Sequence, residues 1–557
     1  MFAPSSNVST PTPALVTQRA AARLPRLPLL LLCAAWVLPG VLGRDPWRNA
    51  DLTAFGLMSA MAEGRTSWLT PTLGGMPVEA APLAHWLGAA SILALAPLGD
   101  PALAARLPFA LLLALTLALT WYATFHLART EAAQPLAFAF GGEADTVDYA
   151  RALADGALLA MLAMLGLLQL GHETTPELVQ LFGTALFLWA MAAAPFRVAR
   201  ARAGVLAALM VLATSGAPAM AMGMGMLGTL ACLRSAYAQA RSFAPWVAGA
   251  SVAAAALASL SGTWAWRTGF EADGEQFVQL LRQWAWFMWP AWPLVLWTLW
   301  QWRRQWTHRH VFVPASVAGV ALGANIVMGG SDRALLLGLP ALAVLAAFAL
   351  PTLRRSVSAA IDWFSMCFFS VGALFVWAMY IAIQTGSPAR WAANVARLAP
   401  GFEAAFSPLA FALAAGGTLA WLALVRWRTG RHRDALWKSL VIPAGGVALC
   451  WLLLMTLWLP LLDYARSPRA VVQRVLPLVG AAPCVAAPGF APVLLAQFET
   501  LGRLHLDARA DASSPGRCPV LLVLTRHTEP PTPTGWTRVG SVRRPTDRAE
   551  IFTVFRR

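Results

Sequence analysis

Residues 43–87 read GRDPWRNADLTAFGLMSAMAEGRTSWLTPTLGGMPVEAAPLAHWL, and they follow directly on the first apolar run of the chain, LPLLLLCAAWVLPGVLG. The stretch is a long, motif-dense loop, and in a membrane protein such loops carry the chemistry. Its skeleton is Asp45, Arg48 and Asp51, a helix-like run ending in Glu63 and Gly64, a turn at Trp68 to Pro71, Gly74 and Gly75, then Glu79, Pro82, Leu83 and Trp86.

Most of the rest of the chain reads as membrane spans. Of 557 residues, 58% are hydrophobic and 12% charged, with a mean hydropathy of +0.59, far more apolar surface than one soluble core can bury. Apolar runs of about 16 to 26 residues recur from Leu27 to Leu459, each long enough to cross roughly 30 Å of hydrocarbon as a helix. The pattern predicts an α-helical polytopic membrane protein with about thirteen spans. They are centred on residues 27–43, 103–128, 152–170, 178–194, 204–215, 218–233, 246–261, 285–301, 311–329, 333–350, 359–383, 407–426 and 437–459. Residues 1–26 precede them, 44–102 form the large loop, and 460–557 read as a small α/β domain outside the membrane.

A formal charge of +16 would suit nucleic acid, but the basic residues stand in short clusters between apolar runs and in the tail, as topology signals do. No nucleic-acid partner is expected. In the loops and span edges, arginine and lysine crowd the side that holds the N-terminus, so that side is read as cytoplasmic and the loop 44–102 as periplasmic. Arg19, Arg23 and Arg26 before the first apolar run would also suit a signal peptide, but the many later spans favour an uncleaved first helix. The parity requires that 83–99 does not cross. It also places Asp155 at the inner surface, away from outer chemistry. Tryptophans crowding 284–306 read as an interfacial belt, and the alternating glycines and methionines of MAMGMGMLG, 220–228, as a close helix contact.

The order of motifs in the loop, with Arg106 and Pro108 in the next span, resembles the C-type membrane glycosyltransferase superfamily, in its aminoarabinose-transferase and protein O-mannosyltransferase branch. That family carries an Asp-Glu pair before an Arg-Tyr-Ala-Glu run, a Trp-x-x-Pro turn, a Gly-rich step, a Lys-Pro-Pro-Leu or His-Pro-Pro-Leu motif and an Arg-Leu-Pro span. The matching positions here are Asp45 and Pro46, Arg48 to Asp51, Trp68 to Pro71, Gly74 and Gly75, Ala80 to Leu83, and Arg106 to Pro108. Order and spacing agree; several identities do not. Thr214 to Pro218 resembles an outer Thr-Lys-Gly-Pro turn. Arg333 resembles an outer arginine that tyrosine usually follows, where this chain has Ala334.

The resemblance implies transfer of a sugar from a polyprenyl-phosphate donor to a lipid A, glycan or protein acceptor. Such transfer needs a carboxylate at the acceptor and cations on the departing phosphate. Asp45 is the candidate base, Asp51 the second candidate, and Glu173 a third acid that would assist the acceptor. A solvated loop acid and helix-start acids are the plainer readings of Asp45, Asp51 and Glu79. Glu79 would bind sugar hydroxyls or orient an arginine, and His172 would hydrogen-bond phosphate. The only lysine, Lys438, falls at an inner helix start, so the phosphate clamp must be arginine, with Arg106 and Arg333 best placed and Arg48, Arg267 and Arg282 behind them. Each arginine also reads as a snorkelling interfacial residue.

No cofactor is identified, and no close His–acid pairing argues for a metal site, although a divalent ion is not excluded. Cys484 and Cys518, the two cysteines of the tail, suit a disulfide in an oxidising compartment, with two buried thiols as the alternative. Two readings of function stay open: a transferase, and a relative that keeps the scaffold without catalysis and binds lipid-linked glycan or supports an envelope complex. The missing motif lysine, Pro46 and Ala334 favour the second.

Overall fold

A computed structural model describes residues 12–47, 49–79, 81–265, 267–271, 273–429, 435–509 and 518–557. Each predicted span overlaps one helix or a pair of helical segments, the first of them only over Arg26–Val37. Among the described residues, seven helices are long and apolar enough to cross a membrane, from Pro176–Ala193 at 18 residues to Arg355–Thr385 at 31. The others are shorter or broken, and the breaks have local causes. The predicted span at 285–301 divides into Gly274–Phe287 and Ala291–Gln301 around Pro290, which offers no N–H to continue the ladder. The span at 152–170 divides into Thr146–Ala163 and Leu165–Leu170 where Met164 turns extended. The two breaks meet: Leu165 N–H donates to the Trp289 carbonyl at 3.2 Å, so a backbone group freed in an apolar interior is still satisfied.

Small residues set the helix spacing. A methyl group on Gly228 would lie 2.8 Å from the Phe187 ring, and Gly225 sits closer still on Ser251, which gives the glycine and methionine run its packing role. Trp36, Phe109, Tyr149, Phe187, Trp302 and Phe348 are fully buried among these helices.

The bundle has two ends. At one, the N-terminal segment pairs with helix Thr146–Ala163: Arg23 holds Asp148 at 2.7 Å, and Asp155 accepts from Leu24 N–H and Trp121 Nε1. At the other lie the loop 43–87 and the C-terminal residues. Helix Pro82–Ala94 begins and ends at this second face. Before it, Gly74 N–H donates to Glu499, and after it Asp100 lies in the field of Arg106 and Arg469.

The C-terminal residues form a five-stranded sheet in the order Leu506–Asp507, Val485–Ala486, Val520–Arg526, Asp547–Arg556, Thr537–Arg544. The first three are parallel and the rest antiparallel, with helices Arg469–Val479 and Pro492–Thr500 on the sheet. Cys484 and Cys518, with Cα atoms 4.8 Å apart, are joined as a disulfide between neighbouring strand starts. This sheet shares its core with the loop: Leu52, Leu57 and Leu73 are buried with Val472, Val475, Phe498, Leu522 and Phe552. Loop helix Ala50–Ala62 packs on Pro492–Thr500 at Gly56, where a Cβ would stand 3.1 Å from the Ala496 Cα and closer still to its Cβ. Gly56→Val is expected to force these helices apart at a cost of about 1–3 kcal/mol, read as a lower thermal unfolding midpoint in detergent, whereas Thr53→Ala on the exposed side should change it little.

Candidate active site

The site is built where two chain breaks face each other. On one side, the first bundle helix, Arg26–Val37, stops short of Pro39, and the chain descends through Arg44 and Asp45 before Asn49, at φ 83°, starts Ala50–Ala62. On the other, the last long helix, Lys438–Leu457, is followed by the short helix Leu459–Arg466. That helix ends because Pro468 pushes Ser467 into the extended region, with ψ 138°. The bend turns Asp463, Arg466, Ser467 and Arg469 towards the loop.

Asp45 lies at the junction. Arg469 grips its carboxylate with a two-pronged fork, Nη2 to Oδ1 at 2.7 Å and Nε to Oδ2 at 2.9 Å, and the Ser467 hydroxyl adds a third bond at 2.9 Å. Burial works against its charge, but the Arg469 guanidinium and the Ser467 hydroxyl outweigh that and hold the carboxyl below the usual range. Beside it stands a second carboxylate, Asp463, which accepts from Trp47 Nε1 at 2.7 Å and from the Asp45 backbone N–H at 3.4 Å. Burial first, and the charge of Asp45 next, push the Asp463 carboxyl up to about 6. The two acids are thereby driven apart in acidity, as in sites that divide acid and base roles between neighbouring carboxylates.

Below this pair Trp47 carries two guanidiniums near its ring, Arg44 at 4.6 Å and Arg466 at 4.7 Å from the centroid. Arg44 is fully buried and pairs at 3.2 Å with the equally buried Asp51. Asp51, in the first turn of its helix, also accepts from Trp47 N–H, Thr174 N–H and the Thr174 hydroxyl, the last two at 2.8 and 2.7 Å. Burial alone would push its carboxyl above the usual range, but Arg44, Arg106 and Thr174 together hold it below. Asp51 is thus a pinned structural anion with its oxygens occupied. Arg106 is buried as well; it donates to the Arg44 carbonyl, and among the described residues its Nε faces no partner. It lines a cavity of about 10 Å³, with His172 and Thr174, that has space for roughly one water.

Glu173 extends the network. Arg333 donates to it at 2.6 Å and to Glu177 at 3.2 Å, while Gln169 bridges Glu173 and Arg466 with bonds of 3.1 and 2.7 Å. Burial, the largest effect, raises the Glu173 carboxyl above its usual range despite Arg333. His172 is placed otherwise than a phosphate ligand would be. Its Nδ1 faces the Leu168 carbonyl at 2.6 Å and its Nε2 the Trp36 carbonyl at 3.1 Å, and its ring lies between Trp36 and Trp451 with Gly40 against it. Burial, the largest effect, pulls this imidazole down to about 4 although the facing carbonyls favour its charged form, and the ring, sealed among these groups, braces the loop. Glu79 pairs with Arg267 at the exposed rim rather than with the cluster.

The structure therefore brings together Asp45, Asp51, Glu173, Arg106 and Arg333, with His172 packed behind them and Glu79 apart. Arg48 and Ala80, the latter at the motif's lysine position, fall outside the described residues. Sequence reading missed Asp463, Arg466, Ser467 and Arg469. Their signal was an acid and two arginines in LDYARSPR, directly after the last apolar run, in a tail read only for its fold. Among the described residues, no three His, Cys, Asp or Glu side chains converge as a metal site.

No family model and no curated protein matches the sequence. Two solved structures are similar to it: ArnT from Cupriavidus metallidurans bound to undecaprenyl phosphate, and the same protein in the apo state. The TM-scores are 0.57 and 0.58, each at 14% identity over 95% of this chain and 97% of that chain. Over nearly its whole length, the chain has the fold of these two ArnT structures.

Proposed function

We propose that the protein transfers a sugar from a polyprenyl-phosphate donor to a lipid, glycan or protein acceptor at the periplasmic face of the bacterial inner membrane. One observation supports this above the rest: loop acids and arginines from five separate segments converge at one end of the bundle, under the C-terminal sheet, in the fold of a protein crystallised with undecaprenyl phosphate. Transfer to a hydroxyl needs a carboxylate that takes up or directs its proton and cations that neutralise the leaving phosphate. Asp45 directs the acceptor, since Oδ1 keeps a lone pair beyond its bond to Arg469. Arg44 and Arg106 are buried and supply field only. Arg333, Arg466 and Arg469 are partly open to solvent and are the guanidiniums that reach phosphate. Glu173 holds Arg333 in place, and Glu79 with Arg267 offers hydrogen bonds to the sugar at the rim.

A second reading, a binding protein without transfer, draws on the same geometry: Asp45 is tied by three hydrogen bonds and held acidic, which makes it a poor base on its own. Lipid binding tests the part both share. Native mass spectrometry of the detergent-solubilised protein should show one retained undecaprenyl phosphate, with about tenfold weaker retention in Arg333→Gln with Arg469→Gln. Equal retention by the double variant contradicts the phosphate assignment.

A further inference from the structure

We propose that Asp463, on the helix that joins the bundle to the C-terminal sheet, takes the proton of the acceptor hydroxyl, with Asp45 as its ionised partner. The inference rests on the transferase reading and deepens it by dividing the work of the two carboxylates.

The geometry separates them. Asp45 is bonded by Arg469 twice and by Ser467 once. Asp463 receives one short bond from an uncharged indole and one long bond from a backbone N–H, and no cation pairs with it among the described residues. Three of its four lone-pair positions are free or weakly used, and its side chain is half-buried rather than sealed. The groups that face it are Asp45, Arg44 and Trp47 from the loop, Arg106 from Pro101–Ala128, and Arg469 from the following helix. Burial first, and the charge of Asp45 next, push its carboxyl up to about 6 against the opposing pull of Trp47, the Asp45 N–H and Arg44, within reach of neutral operation, whereas Asp45 is held below the usual range. Trp47 fixes the carboxylate from one side, and its own position is fixed by Arg44 and Arg466.

The acceptor O–H bond breaks and its proton passes to an Asp463 oxygen. The oxygen's electron pair forms the new bond to the anomeric carbon. The bond from that carbon to the donor phosphate breaks, its electrons leave with the polyprenyl phosphate, and the arginines hold the added charge. Asp463 then releases its proton to water.

Two measurements test this. In infrared titration of the purified protein, a carboxylic C=O band should appear with a midpoint near pH 6 and be absent from Asp463→Asn; a wild-type spectrum matching that of Asp463→Asn overturns the assignment. In cells, Asp463→Asn should accumulate the lipid-linked sugar as the deletion does, a loss of transfer of about 100-fold or more, while retaining undecaprenyl phosphate in mass spectrometry; Asp463→Glu should restore part of it. If the deletion itself leaves lipid-linked sugars and glycans unchanged, the transferase reading fails. If the deletion alters them and Asp463→Asn does not, this inference alone fails.

Discussion

Arg44→Gln is expected to destabilise the protein by about 3–5 kcal/mol, because it leaves Asp51 as a buried carboxylate without its cation. Both side chains of this pair are essentially inaccessible, at 0% and 1%, so water cannot take over the role of the guanidinium. The pH dependence gives the prediction a signature beyond loss of stability. In the wild type the folded-state Asp51 carboxyl lies below its unfolded value, so its contribution is complete above about pH 4 and is lost as the pH falls through the folded value. In Arg44→Gln the sign reverses: burial without a cation raises the folded value, and acidification towards the unfolded range relieves the penalty. Thermal unfolding in detergent between pH 8 and pH 4 should therefore show a wide gap between wild type and variant that narrows on acidification. A constant gap would mean that Arg44 acts by packing on Trp47 and not through Asp51.

The second large effect is on chemistry. Asp45→Asn is expected to lower sugar transfer by about 10²- to 10⁴-fold, since it removes the anion that directs the acceptor and anchors Arg469. Removing the Asp45 charge also takes away one cause of the raised Asp463 carboxyl. The acid limb of the residual activity should therefore move to lower pH than in the wild type. A loss of activity with an unmoved limb would show that the two carboxylates do not act as a pair.

The helical scaffold was legible because its determinant is composition: runs without charge must become helices in hydrocarbon, and Pro218–Leu233 and Pro176–Ala193 begin within two residues of where the apolar pattern begins. The breaks at Met164 and Pro290 were not legible as a pair, since only packing brings Leu165 to the Trp289 carbonyl. The loop half of the site was visible because acids and arginines at fixed spacing in 43–87 resemble a known motif order. Its other half was not, because Arg469 stands 424 residues from Asp45 and no periodicity links them. His172 shows the opposite case. A histidine beside an acid at a membrane face suggests a ligand, yet Leu168 and Trp36 offer carbonyls at both nitrogens, and carbonyl positions cannot be read from side-chain order. Asp51 was read as a catalytic alternate for the same reason; the donors that pin it, Thr174 above all, lie 123 residues away.

The central claim is that the acids and arginines gathered under the C-terminal sheet form one site of sugar transfer from a lipid-linked donor. It is tested most directly by comparing polyprenyl-phosphate sugars and envelope glycans in cells that carry the wild type, Asp45→Asn or a deletion. The account predicts that the donor accumulates and one sugar modification disappears in both mutants alike. A glycan profile in Asp45→Asn that matches the wild type, while the deletion differs, would contradict it.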